Sequence, residues 1–158
     1  MSEYPPPAFE FPDPLALERV HQGFAAQQVM QLINARLVDV APGLVQIELD
    51  YQPALTQQHG YLHAGILSTL VDSACGFAAF SLMPAGCQVL SVEFKVNFMS
   101  PARGQKFLAS GRVLKPGRTL MVCSGEVHAF QDGVWTPVAL MQATMMSLPG
   151  DVIQGTSE

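Results

Sequence analysis

The chain has 158 residues, enough for one domain with a buried core and too few for a comfortable pair of domains. Apolar residues make up 49% and charged ones 13%, a balance that points to apolar surface covered by further copies of the chain. A net charge of −5 excludes a general nucleic-acid binder, which needs a basic footprint to neutralise phosphates.

Taken in chain order, residues 1–13 carry Pro5, Pro6 and Pro7 and read as an extended arm, with no secretory signal visible. Residues 14–150 are expected to form a single domain and 151–158 a tail. Pro14 suits a first helical turn, and residues 14–32 have helical character through Leu17, Val20, Phe24, Val29 and Leu32, interrupted at Gly23. A hairpin follows, with strands over 36–40 and 44–51 joined at Pro42-Gly43, and Val45, Ile47 and Leu49 alternate on the second strand. After a polar loop over 53–62, a helix is predicted from Ala64 to about Leu82, with Leu67, Leu70, Val71, Ala74, Phe77 and Ala78 on one stripe and Pro84 and Gly86 beyond its end. Its only charge is Asp72. Ser68, Thr69 and Ser73 also argue against a membrane span, so the segment reads as a buried core helix.

Beyond it, Leu90, Val92, Phe94, Val96 and Phe98 alternate with Ser91, Glu93, Lys95 and Asn97, which predicts a strand with one apolar face. Strands over 107–114 and 119–130 are separated by Pro116-Gly117, where a type II turn is expected. Asp132-Gly133 marks a hairpin into a last strand over 134–148. The expected fold is therefore α+β: a long central helix wrapped by an antiparallel sheet of five to six strands.

Several residues can carry chemistry. A lone carboxylate in an apolar helix is costly unless it is hydrogen-bonded, paired or water-lined, so Asp72 is either a satisfied core acid or a functional one. On helical spacing it shares a small, polar face with Gly65, Ser68, Thr69 and Gly76. Residues 57–65 lead into the helix N-terminus, whose free N–H groups can polarise a carbonyl; the plainer reading is a loop whose histidine caps the helix. Ala64 and Asp72 stand eight residues apart, about 12 Å along the axis, so one reaction can use both only if a second copy supplies one of them. Six of the eight basic residues, Lys95, Arg103, Lys106, Arg112, Lys115 and Arg118, fall in a stretch without Asp or Glu, which is either a solvated strand face or a contact for a small polyanion. Cys75, Cys87 and Cys123 lack metal or redox spacing and read as reduced, buried small hydrophobes, and with no secretory signal visible a cytoplasmic location is expected. The histidines show no metal-ligand spacing, and no metal is expected.

In combination, Gln57-x-x-Gly60-x-x-His63-Ala64-Gly65, Leu70-x-Asp72, and the strand from Ser91 to Pro101 resemble the hotdog-fold acyl-CoA thioesterases of the phenylacetic-acid-degradation type. Gln57 stands where that pattern has Asn, and Ala64 where it has the first Gly. The resemblance implies a homodimer joined sheet edge to sheet edge, often paired into a homotetramer, and hydrolysis of acyl-CoA without a cofactor beyond the substrate's own coenzyme A. It implies that Asp72 activates water or attacks the thioester itself, that the Ala64 N–H of a neighbouring copy polarises the carbonyl, and that Gln57 and His63 orient the loop, water or thioester. Substrate contacts are expected at Gly65 and Ser91, and at Lys115, Gly117 and Arg118 for the phosphates. Ser91 can reach the site only through a bulge or an interface position, because it alternates with the face expected to pack on the helix. A hydratase or dehydratase using His63 as base and Asp72 as acid, and a non-catalytic acyl-CoA binding protein, are the alternatives. Apolar candidates such as Met141, Met145 and Met146 read as plastic core or as an acyl tunnel for medium-chain or aromatic groups.

Overall fold

The computed structural model describes residues 7–151; the first six residues of the expected arm and residues 152–158 of the expected tail lie outside it. Two short helices, α1 (Ala16–Ala26) and α2 (Gln28–Leu32), precede a hairpin of β1 (Arg36–Ala41) and β2 (Leu44–Asp50). A single turn of 3-10 helix, Pro53–Leu55, leads to the long helix α3 (Ala64–Phe80). The strands β3 (Cys87–Phe98), β4 (Lys106–Lys115), β5 (Leu120–Gln131) and β6 (Val134–Pro149) complete one antiparallel sheet in the order β1-β2-β4-β5-β6-β3.

Period-two burial explains how the sheet wraps the helix. Val45, Ile47 and Leu49 on β2, Phe107, Ala109 and Val113 on β4, and Met141, Ala143 and Met145 on β6 are all buried beneath α3. The stripe of α3 predicted from spacing, Leu67 through Ala78, supplies the other half of this core. Met141 and Met145 are core residues here. Helix and sheet approach closely because Gly111 and Gly125 face each other on β4 and β5. A Cβ on Gly111 would stand 2.2 Å from the Ala74 carbonyl carbon, and one on Gly125 would stand 2.4 Å from Val71 Cγ2.

Four expectations are corrected. Gly23 does not interrupt the first helix; it lies inside α1, where a Cβ would come 3.1 Å from Phe77 Cε1. The break falls at Gln27, whose extended backbone (φ −77°, ψ 97°) rotates α2, so that Met30 is buried while Val29 and Leu32 face outward. Pro14 lies before the helix, which starts after Leu15. Gly117 has no positive φ, so residues 115–118 do not form a type II turn. By contrast, Asp132 and Gly133 both adopt left-handed backbone (φ 51° and 86°), as a two-residue hairpin requires.

The fourth correction concerns β3. The register slips between Ser91 and Glu93, so the single apolar face read from alternation is split at Val92. Ser91 is registered with buried Met145 and faces α3, whereas Leu90 is registered with Met146 and faces away from it; after the bulge Phe94 and Val96 return to the helix side, opposite Ala143 and Met141. β3 is also an edge strand. Leu90, Val92, Phe94 and Phe98 are accordingly 43–50% exposed. The other edge, β1, is short and lies against α1.

Candidate functional site

Asp72 sits midway along α3, half-buried, with Ser91 Oγ donating to its Oδ1 at 2.8 Å. The Val92 bulge brings this about: it keeps the hydroxyl on the helix side at the sheet's edge, as the sequence required for Ser91 to take part. The two effects on the carboxyl oppose each other. Burial raises the Asp72 pKa above the usual carboxylate value, and the Ser91 hydrogen bond partly offsets this. The carboxyl opens on a cavity of about 80 Å³ bounded by Gln27, Ser73, Gly76, Phe77 and Val89.

The start of α3 is a second, separate feature. His63 is the N-cap, and its Nδ1 accepts the Gly65 N–H at 2.8 Å. A Cβ at Gly65 would come within 3.0 Å of that Nδ1, so the glycine permits the cap. The next N–H groups, of Ile66 and Leu67, donate to the His63 carbonyl. The Ala64 N–H donates to no group among the described residues, and the residue is exposed. It borders a cavity of about 290 Å³ shared with Gln57, Tyr61 and Phe98. Gln57 is held by its own loop, its Oε1 accepting the His59 N–H and its main-chain N–H donating to Tyr61.

One chain does not bring these halves together: Asp72 and Ala64 border different cavities, as their eight-residue separation dictates. Lys115, Gly117 and Arg118 line neither. Lys115 ends β4 while Gly117 and Arg118 lie in the β4–β5 connection, at the end of the sheet where Ser81 ties the C-terminus of α3 to Gly43. Leu120, where β5 begins, is in register with Met146 and hence with Leu90, so this connection lies two strands from the Ser91 end of β3.

Sequence reading missed Gln27 and Phe98. Gln27 reaches the Asp72 cavity only because the helix breaks there, and its spacing from Asp72 carries no signal. Phe98 was grouped with a core face, yet it stands at the rim beside Ala64.

Comparison with known proteins agrees with this architecture. The model of the Thioesterase superfamily matches residues 59–136, from the loop before α3 into β6. A candidate esterase of Saccharolobus solfataricus is 31% identical over 131 residues, covering 78% of this chain and 91% of that one. The chain belongs to the thioesterase superfamily. A thioesterase family protein of Silicibacter pomeroyi, solved by crystallography, superposes with a TM-score of 0.84 at 51% identity, over 85% of this chain and 99% of that one. The PaaI protein from the phenylacetic acid degradation operon of E. coli shares the fold at 18% identity, with a TM-score of 0.75 over 85% and 94% of the two chains. Human acyl-coenzyme A thioesterase 13 is 36% identical over 89 residues, 56% of this chain and 63% of that one. The superfamily fold is the hotdog, and the protein is a thioester hydrolase. Among the described residues no helix is long and apolar enough to cross a membrane.

Proposed function

We propose that the protein hydrolyses acyl-CoA thioesters to the free acid and coenzyme A at sites shared between two copies of the chain. The observation that carries this reading is the Asp72 carboxylate, half-buried in an apolar helix, held by Ser91 and open to a cavity. With Oδ1 engaged by Ser91, Oδ2 takes a proton from water as the water adds to the thioester carbonyl, or itself attacks that carbon before water completes the reaction. The tetrahedral oxyanion requires a donor. The unengaged Ala64 N–H, at the positive end of α3, is suited to it. Collapse of the intermediate breaks the C–S bond, and the thiolate leaves as coenzyme A. The human relative's name supports acyl-CoA as the substrate class.

The edge strand supports the shared site. Ser91 marks the Asp72 end of β3 and Phe98 the Ala64 end. Antiparallel pairing of two β3 strands about a point between Phe94 and Lys95 sets Ser91 of one copy opposite Phe98 of the other. Asp72 then faces the Ala64 N–H of the second copy. Such pairing also covers a twelve-residue edge with exposed apolar side chains, which otherwise invites association. Lys115 and Arg118, cationic and beyond the two cavities at the β4–β5 end of the sheet, are the proposed contacts for the coenzyme's phosphates. The three free thiols suit a reducing compartment, the cytoplasm.

Incubation with a panel of acyl-CoAs and a thiol-reactive dye tests the chemistry. Thiol release is expected, and Asp72→Asn should lower it by roughly 10²–10⁴-fold, the range for losing a general base. Water addition to an enoyl-CoA without thiol release would indicate a hydratase. Binding without turnover would indicate a carrier.

A further inference from the structure

The cavity beside Asp72 has a wall that the reaction does not require. Its polar groups are nearly all engaged: Ser91 Oγ donates to Asp72, and Ser73 Oγ donates to Gln27 Oε1 at 3.1 Å. Pinning the amide oxygen orients the Gln27 NH₂ group, which donates to no group among the described residues. The remaining walls are apolar, from Phe77 and Val89. Phe77 is itself fixed by the N-terminal segment, with the Phe24 ring edge-on at 5.8 Å and Gly23 packed beneath it. The floor is Gly76, where an added Cβ would meet nothing within 4 Å.

Resting on the function proposed above, a carbonyl carbon within reach of Asp72 sends its substituent along α3 over Gly76, one turn further on. There it meets Phe77, Val89 and the Gln27 amide. The part of the site that one chain contributes here, about 80 Å³, holds the first few carbons of the substituent. We propose that Gln27, presented at the break between α1 and α2, is a specificity-determining residue that selects acyl groups bearing a hydrogen-bond acceptor a few carbons beyond the carbonyl. Ser73 is its positioning residue.

The test compares kcat/KM for butyryl-CoA and 3-hydroxybutyryl-CoA, which differ by one hydroxyl and neither of which readily expels its own thiol by lactone formation. The wild-type chain should favour the hydroxyacyl substrate by about threefold to tenfold, the effect of one neutral hydrogen bond. Gln27→Leu, similar in size without the amide, should bring the ratio to one or below, and Ser73→Ala part of the way. Because each ratio compares two substrates on one preparation, partial loss of folded enzyme cancels. No preference in the wild type, or an unchanged ratio in Gln27→Leu, overturns the proposal. Asp72→Asn separates the two levels: if it loses turnover while Gln27→Leu keeps the wild-type ratio, only the role of Gln27 fails. If Asp72→Asn hydrolyses both substrates at the wild-type rate, the Asp72 chemistry fails and the role of Gln27 with it.

Discussion

Ser91 and Asp72 meet at 2.8 Å across the gap between an edge strand and the central helix, and the bond exists because β3 carries one extra residue at Val92. Without the bulge the strand's alternation would be unbroken.

The Ser91 hydroxyl lowers a pKa that burial raises, so Ser91→Ala should raise it further. If Asp72 must be ionised to act, the acidic limb of the kcat/KM profile then moves to higher pH, and the plateau rate falls by up to about tenfold. A pH–rate series on both proteins checks this. A limb that stays in place, or moves to lower pH, contradicts the assignment.

The same raised pKa has a consequence for stability. The folded chain holds the Asp72 proton at pH values where the unfolded chain has released it, so this group's contribution declines as pH rises from the usual carboxylate value through the folded one. Asp72→Asn removes the ionisation and keeps an oxygen for Ser91. The variant should therefore melt above the wild type near neutrality, with the difference shrinking in acid. Thermal unfolding at several pH values measures it.

Two glycines should respond in opposite ways. Gly111→Ala drives a methyl into the α3 backbone at Ala74 and Cys75 and should destabilise the fold by ~3 kcal/mol. Gly76→Ala meets open space and improves helix propensity, so it should be neutral or stabilising by up to ~1 kcal/mol while narrowing the cavity beside Asp72. Denaturant titration of both variants, with kcat/KM for the second, decides whether the cavity is used.

Complementation tests the shared site. Ala64→Pro removes the proposed oxyanion donor at the first helical position, where proline is well tolerated, and His63 already has the extended backbone (φ −64°, ψ 138°) that a following proline demands. Ala64→Pro and Asp72→Asn should each be inactive. Unfolded together and refolded in equal amounts, they should recover about a quarter of wild-type turnover, since half the dimers are mixed and each mixed dimer has one intact site. No recovery would mean that Ala64 of one copy and Asp72 of the other do not share a site.

Thiol labelling probes the core. Cys75 and Cys123 are buried, and burial pushes the Cys123 thiol up to about 12 and Cys75 higher still. Cys87, expected from sequence to be buried, is instead partly exposed at the start of the edge strand β3, so native protein should react there alone, and denatured protein at all three.

Much of this protein was legible as pattern. Period-two alternation on β2, the apolar stripe of α3, the Asp132-Gly133 turn and the loop from Gln57 to Gly65 are local signals, because backbone periodicity and turn chemistry act over a few residues. They sufficed for the central helix, the strands and the suspicion attached to Asp72. What depended on contacts distant in sequence was settled only by the tertiary structure. The β3 bulge depends on how that strand registers against β6, and it decides that Ser91 reaches Asp72. Gly111 and Gly125 look like weak points in their strands until α3 is laid across them. Gln27 reads as one more polar residue of an irregular helix, forty-five positions before Asp72, until packing of Phe24 on Phe77 carries it to the rim of the same cavity.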